Sequence, residues 1–290
     1  MLNLIVHFRY LDFSLLCVLK NSSAKVHINL SLIVIIFKNF FNEKKVFFLL
    51  TCMNKMRFFF TFLFAFVFLN VNSQVKYIHG GGTLEDWANL SKYKSENLKI
   101  INDPIDNLVI FMGNSITENW TYFRPNFFKE NSFLNRGISG QTTPQMLIRF
   151  KPDVVNLNPD SVVILAGIND IAGNTGPMVI SNIAENIFSM AEIAKEYGIK
   201  VFICSVLPAK GFPGAPNLNV KPAKKVMSLN KMLKEYCQKN KIIYVDYYSQ
   251  MNDGEGGLRV PEFTSANDLV HPNSAGYAVM ESIILEALKN

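Results

Sequence analysis

The serine of the segment Gly113-Asn114-Ser115-Ile116-Thr117 directly follows an apolar run, LVIFM. A serine on a tight turn between a strand and a helix presents its hydroxyl outward, and its backbone N–H lies at the positive end of the helix. Such a serine can attack a carbonyl carbon. Serine also caps helices at this position, so the segment alone leaves both roles open.

An acid and a histidine stand close together near the end of the chain, in Asp268-Leu269-Val270-His271. With this spacing in a turn, the carboxylate can accept a hydrogen bond from Nδ1 of the imidazole and leave Nε2 free to face a nucleophile. From residue 74 onward the other histidine is His79, so a histidine-dependent mechanism has one well-placed candidate. The alternative is an ordinary surface or core histidine.

Two more polar segments follow predicted strands. Gly140, in Arg136-Gly-Ile-Ser-Gly-Gln-Thr-Thr143, can bring a bare backbone N–H close to a ligand; the alternative is a glycine-rich turn with Thr143 capping a helix. Asn169, in Gly167-Ile-Asn-Asp170, can offer a side-chain N–H to an oxyanion, although Asn and Asp are also common turn formers.

The elements that must position these residues form a recognisable pattern. From residue 107 onward, β-rich runs alternate with helical patterns, which predicts a parallel sheet covered by helices on both faces. In an open parallel sheet, functional residues gather beyond the carboxyl ends of the strands. The predicted strands are Leu108–Met112, Phe133–Arg136, Ser161–Ala166, Lys200–Val206 and Lys241–Asp246. Hence all four polar segments are expected to lie at or near one edge of the sheet.

Helices with recognisable ends lie between and after these strands. One is predicted to open at Gly176-Pro177 and close at Gly198, a second spans about residues 221–239, and the last runs from about Ser274 to Leu288 with Asn273 as N-cap. Residues 208–220, rich in Pro and Gly, predict a long loop. We interpret residues 74–106 as an N-terminal extension packed on a single domain that comprises residues 107–290.

The first 73 residues resemble a leader. Met53 to Gln74 contains Lys55 and Arg57, then an apolar run and small residues, which is the layout of a secretory signal peptide cleaved between Ser73 and Gln74. An uncleaved anchor is the alternative. Residues 1–52 have no clear pattern and are expected to be absent from the native protein; the alternative is a membrane-embedded segment around residues 28–41. Cleavage would give a periplasmic or extracellular protein.

The net positive charge of the chain, +6, comes from this leader. Of 29 Lys and Arg and 23 Asp and Glu, eight bases and two acids lie before residue 74, so residues 74–290 carry equal numbers of both. A neutral domain gives no electrostatic reason to expect nucleic acid or an anionic membrane as partner. Cys204 and Cys237 are predicted to be two buried thiols, and no spacing typical of a zinc site occurs.

Taken together, the four segments resemble, in order and position, the four blocks of the SGNH hydrolase superfamily of GDSL-type esterases and lipases. The resemblance covers about residues 107–290 and implies a flavodoxin-like, five-stranded parallel sheet in a three-layer α/β/α domain. It implies Ser115 as nucleophile, Asp268 and His271 as its partners, and an oxyanion hole formed by the N–H groups of Ser115 and Gly140 and the side chain of Asn169. No metal or organic cofactor is implied.

One residue departs from the family pattern, because Asn114 stands where an aspartate usually precedes the serine. An amide can still hydrogen-bond the backbone of the turn, so we expect activity to survive. The expected function is that of an exported serine esterase removing acetyl or other short acyl groups from carbohydrate, with Trp120 and Tyr122 as candidate sugar-stacking or packing residues. The alternatives are a lysophospholipase or thioesterase, and a catalytically silent glycan-binding module; an FMN carrier is disfavoured. The sequence does not predict an oligomeric state.

Overall fold

The computed structural model describes residues 80–212 and 222–290. The predictions for residues 1–52, for the signal peptide at 53–73 and for the first residues of the extension lie outside the described ranges. The same holds for most of the predicted long loop, of which residues 208–212 are described.

The centre of the fold is a sheet of five parallel strands in the order β2-β1-β3-β4-β5. The strands are β1 Val109–Gly113, β2 Phe133–Gly137, β3 Ser161–Leu165, β4 Lys200–Cys204 and β5 Ile243–Val245. In the pairing register, Gly113 lies opposite Gly137 on one side and Leu165 on the other. The strands β2, β1 and β3 therefore end at the same edge, and the strand order is that of flavodoxin-like folds, as predicted.

Helices cover both faces of this sheet. β1 and β3 are buried along their whole length, as expected for parallel strands covered on both sides. The helices are α1 Lys94–Asn102, α2 Ser115–Phe123, α3 Pro125–Lys129, α4 Thr143–Asp153, α5 Ile168–Ala172, α6 Ile180–Glu196, α7 Pro222–Asn240, α8 Tyr247–Met251 and α9 Ser274–Leu288. A short 3₁₀ turn, Val155–Leu157, follows α4. Cys204 and Cys237 are buried free thiols, as predicted.

Helix ends agree with the sequence where a capping side chain marks them. α9 begins at Ser274, and Oδ1 of its N-cap Asn273 accepts a hydrogen bond from the N–H of Gly276 at 3.0 Å, as predicted. The helix predicted from Gly176-Pro177 instead starts at Ile180. The reason is that Gly176 adopts a φ of +102° and forms a small bridge with Asn174, so a turn precedes the helix.

The start of α4 and the helix α1 differ from what the sequence indicated. The cap of α4 is Thr142 rather than Thr143, because Thr142 and Gln145 form a reciprocal capping box. α1, in the N-terminal extension, was not predicted. Its hydrophobic pattern is weak because it docks largely through polar contacts: Nδ2 of Asn97 donates to Oδ1 of Asp153 at 2.7 Å, and the Tyr93 ring lies 4.5 Å from the guanidinium of Arg136.

Trp120 and Tyr122, both on α2, differ in exposure: one is buried and the other lies at the surface. Trp120 is 1% exposed, stacks on Phe127 with ring centroids 5.0 Å apart, and donates a hydrogen bond from Nε1 to Glu281. Trp120 is therefore a packing residue and cannot stack on a sugar. Tyr122 is 82% exposed, because two residues along a helix turn the side chain toward the opposite face.

Candidate active site

The turn that carries Ser115 is very short. β1 ends at Gly113 and α2 begins at Ser115, so the single residue between them, Asn114, is the N-cap of the helix. Its Oδ1 accepts a hydrogen bond from the N–H of Ile116 at 3.0 Å. The amide thus makes the backbone contact that we expected from it in place of aspartate.

Glycine is required at the end of β1. A Cβ on Gly113 would lie 2.0 Å from Oγ1 of Thr117 and 3.0 Å from the carbonyl oxygen of Leu165. The absence of a side chain therefore lets α2 turn back closely over the sheet, with Ser115 in its first turn.

The structure brings Ser115, His271 and Asp268 together. Oγ of Ser115 lies 2.9 Å from Nε2 of His271, although the residues are 156 positions apart. Nδ1 of His271 lies 2.9 Å and 3.1 Å from the two carboxylate oxygens of Asp268. This is the geometry required of a nucleophile, its general base and the acid that orients the base.

The Asp268 carboxylate is held in its ionised form. Partial burial by itself raises its pKa, but hydrogen bonds from the backbone N–H of His271, the imidazole and the N–H of Val270 outweigh burial and leave the pKa below 3.8. An ionised carboxylate favours the tautomer of His271 that has its proton on Nδ1. Nε2 is then the acceptor that faces the hydroxyl of Ser115.

Contacts behind the histidine tie the last part of the chain to the nucleophile helix. The hydroxyl of Tyr277, on α9, donates to the carbonyl oxygen of Ile116 at 2.8 Å. The hydroxyl of Thr264 donates to the backbone carbonyl oxygen of His271 at 2.8 Å. Glu281, also on α9, accepts hydrogen bonds from Trp120 on α2 and from Arg124, which directly follows α2. These contacts place His271 over Ser115.

Backbone N–H donors face the same edge of the sheet. Gly140 has a φ of +79°, a conformation that suits glycine. Among the described residues, neither the N–H of Gly140 nor that of Ser115 donates to another protein group. Both are available to a negatively charged oxygen, as an oxyanion hole requires.

Asn169 is anchored beside Gly140. Its Nδ2 donates to the carbonyl oxygen of Gln141 at 2.9 Å, which uses one of the two N–H bonds of the amide. From the turn that follows α5, Nδ2 of Asn174 donates to the carbonyl oxygen of Gly140 at 3.0 Å. The α5 segment after β3 thereby holds the loop that follows β2.

A buried aspartate on α5 adds a third link, which reaches the first residue of α4. Asp170 is 2% exposed and accepts hydrogen bonds from the N–H and the hydroxyl of Thr143, at 2.9 Å and 2.6 Å. Burial raises its pKa despite these bonds. Sequence reasoning treated Asp170 as a turn former; its position beside Asn169 was the one available signal. Gln141 and Asn174 were likewise missed as supports, and Tyr277 and Thr264 gave no signal in the sequence.

Among the residues that the structure describes, no metal-ligating cluster accompanies this site. Over residues 80–212 and 222–290, His, Cys, Asp and Glu do not gather in groups of three or more that could hold a metal ion. Within the same ranges, none of the helices has the length and apolar character needed to cross a bilayer.

Known proteins with similar sequences and structures include lipases and acylhydrolases of one family. Residues 111–279 match the model of the GDSL-like lipase/acylhydrolase family. A proposed acylhydrolase from Bacteroides fragilis is 47% identical, with a TM-score of 0.66 over 70% of this chain and 97% of that one. A GDSL-like lipase from Bacteroides thetaiotaomicron is 44% identical, with a TM-score of 0.66 over 70% and 98%.

Two further similarities are weaker, since one covers a short part of the chain and the other has low sequence identity. An uncharacterized lipoprotein of Bacillus subtilis, YqeF, is 36% identical over 78 residues, which is 26% of this chain and only 32% of that protein. An acetylxylan esterase from Geobacillus stearothermophilus is 18% identical with a TM-score of 0.52, a likeness of fold alone. The family model and the two Bacteroides structures agree: this chain belongs to the GDSL-like lipase/acylhydrolase family of the SGNH hydrolase superfamily and is an SGNH-type ester hydrolase.

Proposed function

We propose that the protein is a serine esterase that works through an acyl-enzyme, with Ser115 as nucleophile, His271 as general base and Asp268 as the residue that orients it. The observation that carries the proposal is the continuous chain of contacts from Ser115 Oγ through the imidazole to the Asp268 carboxylate, with 2.9 Å between the closest atoms at each step. Ser115 and His271 are 156 positions apart in the sequence, and together with Asp268 they meet at the carboxyl edge of the sheet.

In the first step, Nε2 of His271 takes the proton of the Ser115 hydroxyl while Oγ attacks the ester carbonyl carbon. The negative oxygen of the tetrahedral intermediate is stabilised by the N–H groups of Ser115 and Gly140 and by the free side-chain N–H of Asn169. His271 then gives its proton to the departing alcohol oxygen, and the acyl group remains on Ser115.

In the second step, a water molecule takes the place of the alcohol. His271 accepts a proton from the water as its oxygen attacks the acyl carbon, and the same donors stabilise the second oxyanion. Collapse of this intermediate returns the proton to Ser115 Oγ and releases the carboxylic acid. The ionised Asp268 stabilises the imidazolium that forms in each step.

We propose a short acyl group, such as acetyl, on a carbohydrate as the substrate. In support, the side chains of His271 and Asp268 are 34% and 40% exposed, so the reacting groups lie at a surface that a bulky glycan can approach. We further propose that the protein is exported. The signal-peptide pattern before residue 74 and the local similarity to a lipoprotein support this location.

The test is hydrolysis of p-nitrophenyl esters from acetate to palmitate by the wild-type protein and by Ser115→Ala. We expect turnover restricted to short chains, and its loss in the variant, because the acyl intermediate forms on Ser115 Oγ. The melting temperature should remain within a few degrees. Ser228→Ala is a matched control, because Ser228 is exposed on α7 and its hydroxyl donates to the carbonyl oxygen of Lys224 in the same helix.

Labelling with a fluorophosphonate gives a second readout, since the reagent should add to wild-type and Ser228→Ala protein and not to Ser115→Ala. Turnover by Ser115→Ala would contradict the assignment of the nucleophile. Preference for long acyl chains would favour a lysophospholipase or thioesterase, and the absence of both turnover and labelling in the wild-type protein would favour a glycan-binding module.

A further inference from the structure

Arg149 is an unusual residue for the interior of a protein. It lies on α4, its side chain is 0% exposed, and its counter-ion Asp153, one turn further along the helix, is 1% exposed. Nη1 of Arg149 donates to Oδ2 of Asp153 at 3.0 Å. Burying such a pair removes both ions from water, and the attraction between them often fails to offset that loss of hydration, so the remaining contacts of the guanidinium need an explanation.

Those contacts lead to the two turns of the active site. Nη2 of Arg149 donates to the carbonyl oxygen of Gly113 at 2.9 Å, and Gly113 lies two residues before Ser115. Nε of Arg149 donates to the side-chain oxygen of Gln141, which directly follows Gly140. One rigid guanidinium therefore connects the turn that carries the nucleophile with the loop that carries an oxyanion donor.

Gln141 extends this connection to the third donor. It is 0% exposed, its backbone carbonyl oxygen accepts the hydrogen bond from Asn169, and its Nε2 donates to the carbonyl oxygen of Ala88 at 2.7 Å. The position of Gln141 thus affects both Gly140 and Asn169. A shift of this residue would move two of the three proposed oxyanion donors relative to Ser115.

A second buried arginine provides an internal comparison. Arg136 is also 0% exposed and pairs with Glu96 at 3.2 Å. Its other hydrogen bonds go to the side chain of Asn97 and to the backbone carbonyl of Asn135. Arg136 therefore shares the burial of Arg149, although its ion-pair partner Glu96 is 51% exposed, and it lacks direct contacts to Gly113 and Gln141.

We propose that Arg149 is a positioning residue for the esterase reaction: it fixes the distance between the Ser115 turn and the Gly140 loop, and so holds the oxyanion hole in register with the nucleophile. This inference rests on the proposed function of Ser115. It predicts that loss of the fork-shaped guanidinium slows the chemical step in molecules that are folded and carry a reactive serine.

Arg149→Lys separates the two roles of the side chain. A lysine can keep the charge beside Asp153, but its single ammonium group cannot reproduce the planar donor pattern that reaches Gly113 and Gln141 together. Displacements of about 1 Å in a site can cost about 10²-fold in rate. We expect kcat per active site to fall by about that factor, with little change in KM.

The experiment compares full-length wild-type protein, Arg149→Lys, Arg136→Lys and Ser115→Ala on p-nitrophenyl acetate. Fluorophosphonate titration counts reactive serines, so that kcat is expressed per active site, and thermal melting reports stability. A boronic acid, which forms a tetrahedral adduct with the serine, measures the oxyanion hole separately. We expect its Ki to rise with the fall in kcat for Arg149→Lys, and both values to stay near wild type for Arg136→Lys.

A purely structural role gives a different result. Fewer titratable sites with wild-type kcat per site and wild-type boronate Ki would overturn the proposal. If Arg149→Lys fails to fold, Gln141→Met severs the loop end of the same connection and should show the same loss of kcat; wild-type turnover by that variant would also refute the positioning role. Turnover by Ser115→Ala would instead remove the nucleophile assignment, so the two failures are distinguishable.

Discussion

Replacing Asn169 by alanine tests the oxyanion hole most directly. The side chain has two N–H bonds, one of which is used in the 2.9 Å hydrogen bond to the carbonyl oxygen of Gln141. The variant therefore loses the proposed catalytic donor and one supporting hydrogen bond. Loss of one oxyanion donor typically lowers kcat by about 10²–10³-fold, equivalent to about 2.7–4 kcal/mol in the transition state.

The effect on stability should be much smaller. Removing a partly exposed hydrogen bond typically costs about 0.5–1.5 kcal/mol. In a domain of this size, about 1 kcal/mol shifts the melting temperature by about 2–4 °C. Asn169→Ala is thus expected to lose most of its activity while its melting temperature falls by no more than about 6 °C.

Asn230→Ala is the matched control. Asn230 is a buried asparagine on α7 whose side chain exchanges two hydrogen bonds with the backbone of Val206, at 2.8 Å and 2.9 Å. Its loss leaves two buried backbone groups without partners, so stability should fall more than in Asn169→Ala, while kcat per titrated serine stays close to wild type. The assay is steady-state hydrolysis of p-nitrophenyl acetate together with thermal melting. An Asn169→Ala protein within fivefold of wild-type kcat would refute the assignment of Asn169.

Two further predictions concern stability. Gly137→Ala should lower the free energy of unfolding by at least about 2 kcal/mol, because the new Cβ would lie 2.2 Å from the backbone N of Glu118 and overpacking commonly costs about 1–3 kcal/mol. Denaturant unfolding measures this change, and an unchanged midpoint would show that β2 and α2 can move apart without loss of stability. Because the folded-state pKa of Asp268 is lowered, its carboxylate stabilises the fold above the unfolded-state pKa, and this contribution disappears as the pH falls through the folded-state value. Wild type should therefore lose its stability advantage over Asp268→Asn at acidic pH, and a difference that stays constant from about pH 6 to pH 2 would contradict the reasoning.

The sequence determined the features that depend on near neighbours. Apolar runs long enough to span a sheet located all five strands to within two residues of their observed starts and ends. The cap Asn273 marked the start of the last helix, and the spacing of Asp268 and His271 predicted their contact, because both lie in one turn. Family resemblance then supplied the roles expected of Ser115, Gly140 and Asn169.

Only the tertiary structure decided how distant segments meet. Whether Ser115 reaches His271 depends on the packing of α9 against α2, which the Tyr277 hydrogen bond to Ile116 secures. No local pattern indicates that Arg149, on an otherwise ordinary amphipathic helix, turns its charge inward to Gly113 and Gln141. A buried charge is costly unless partners accept its hydrogen bonds, and for Arg149 two of those partners, Gly113 and Gln141, come together with it only when the chain folds.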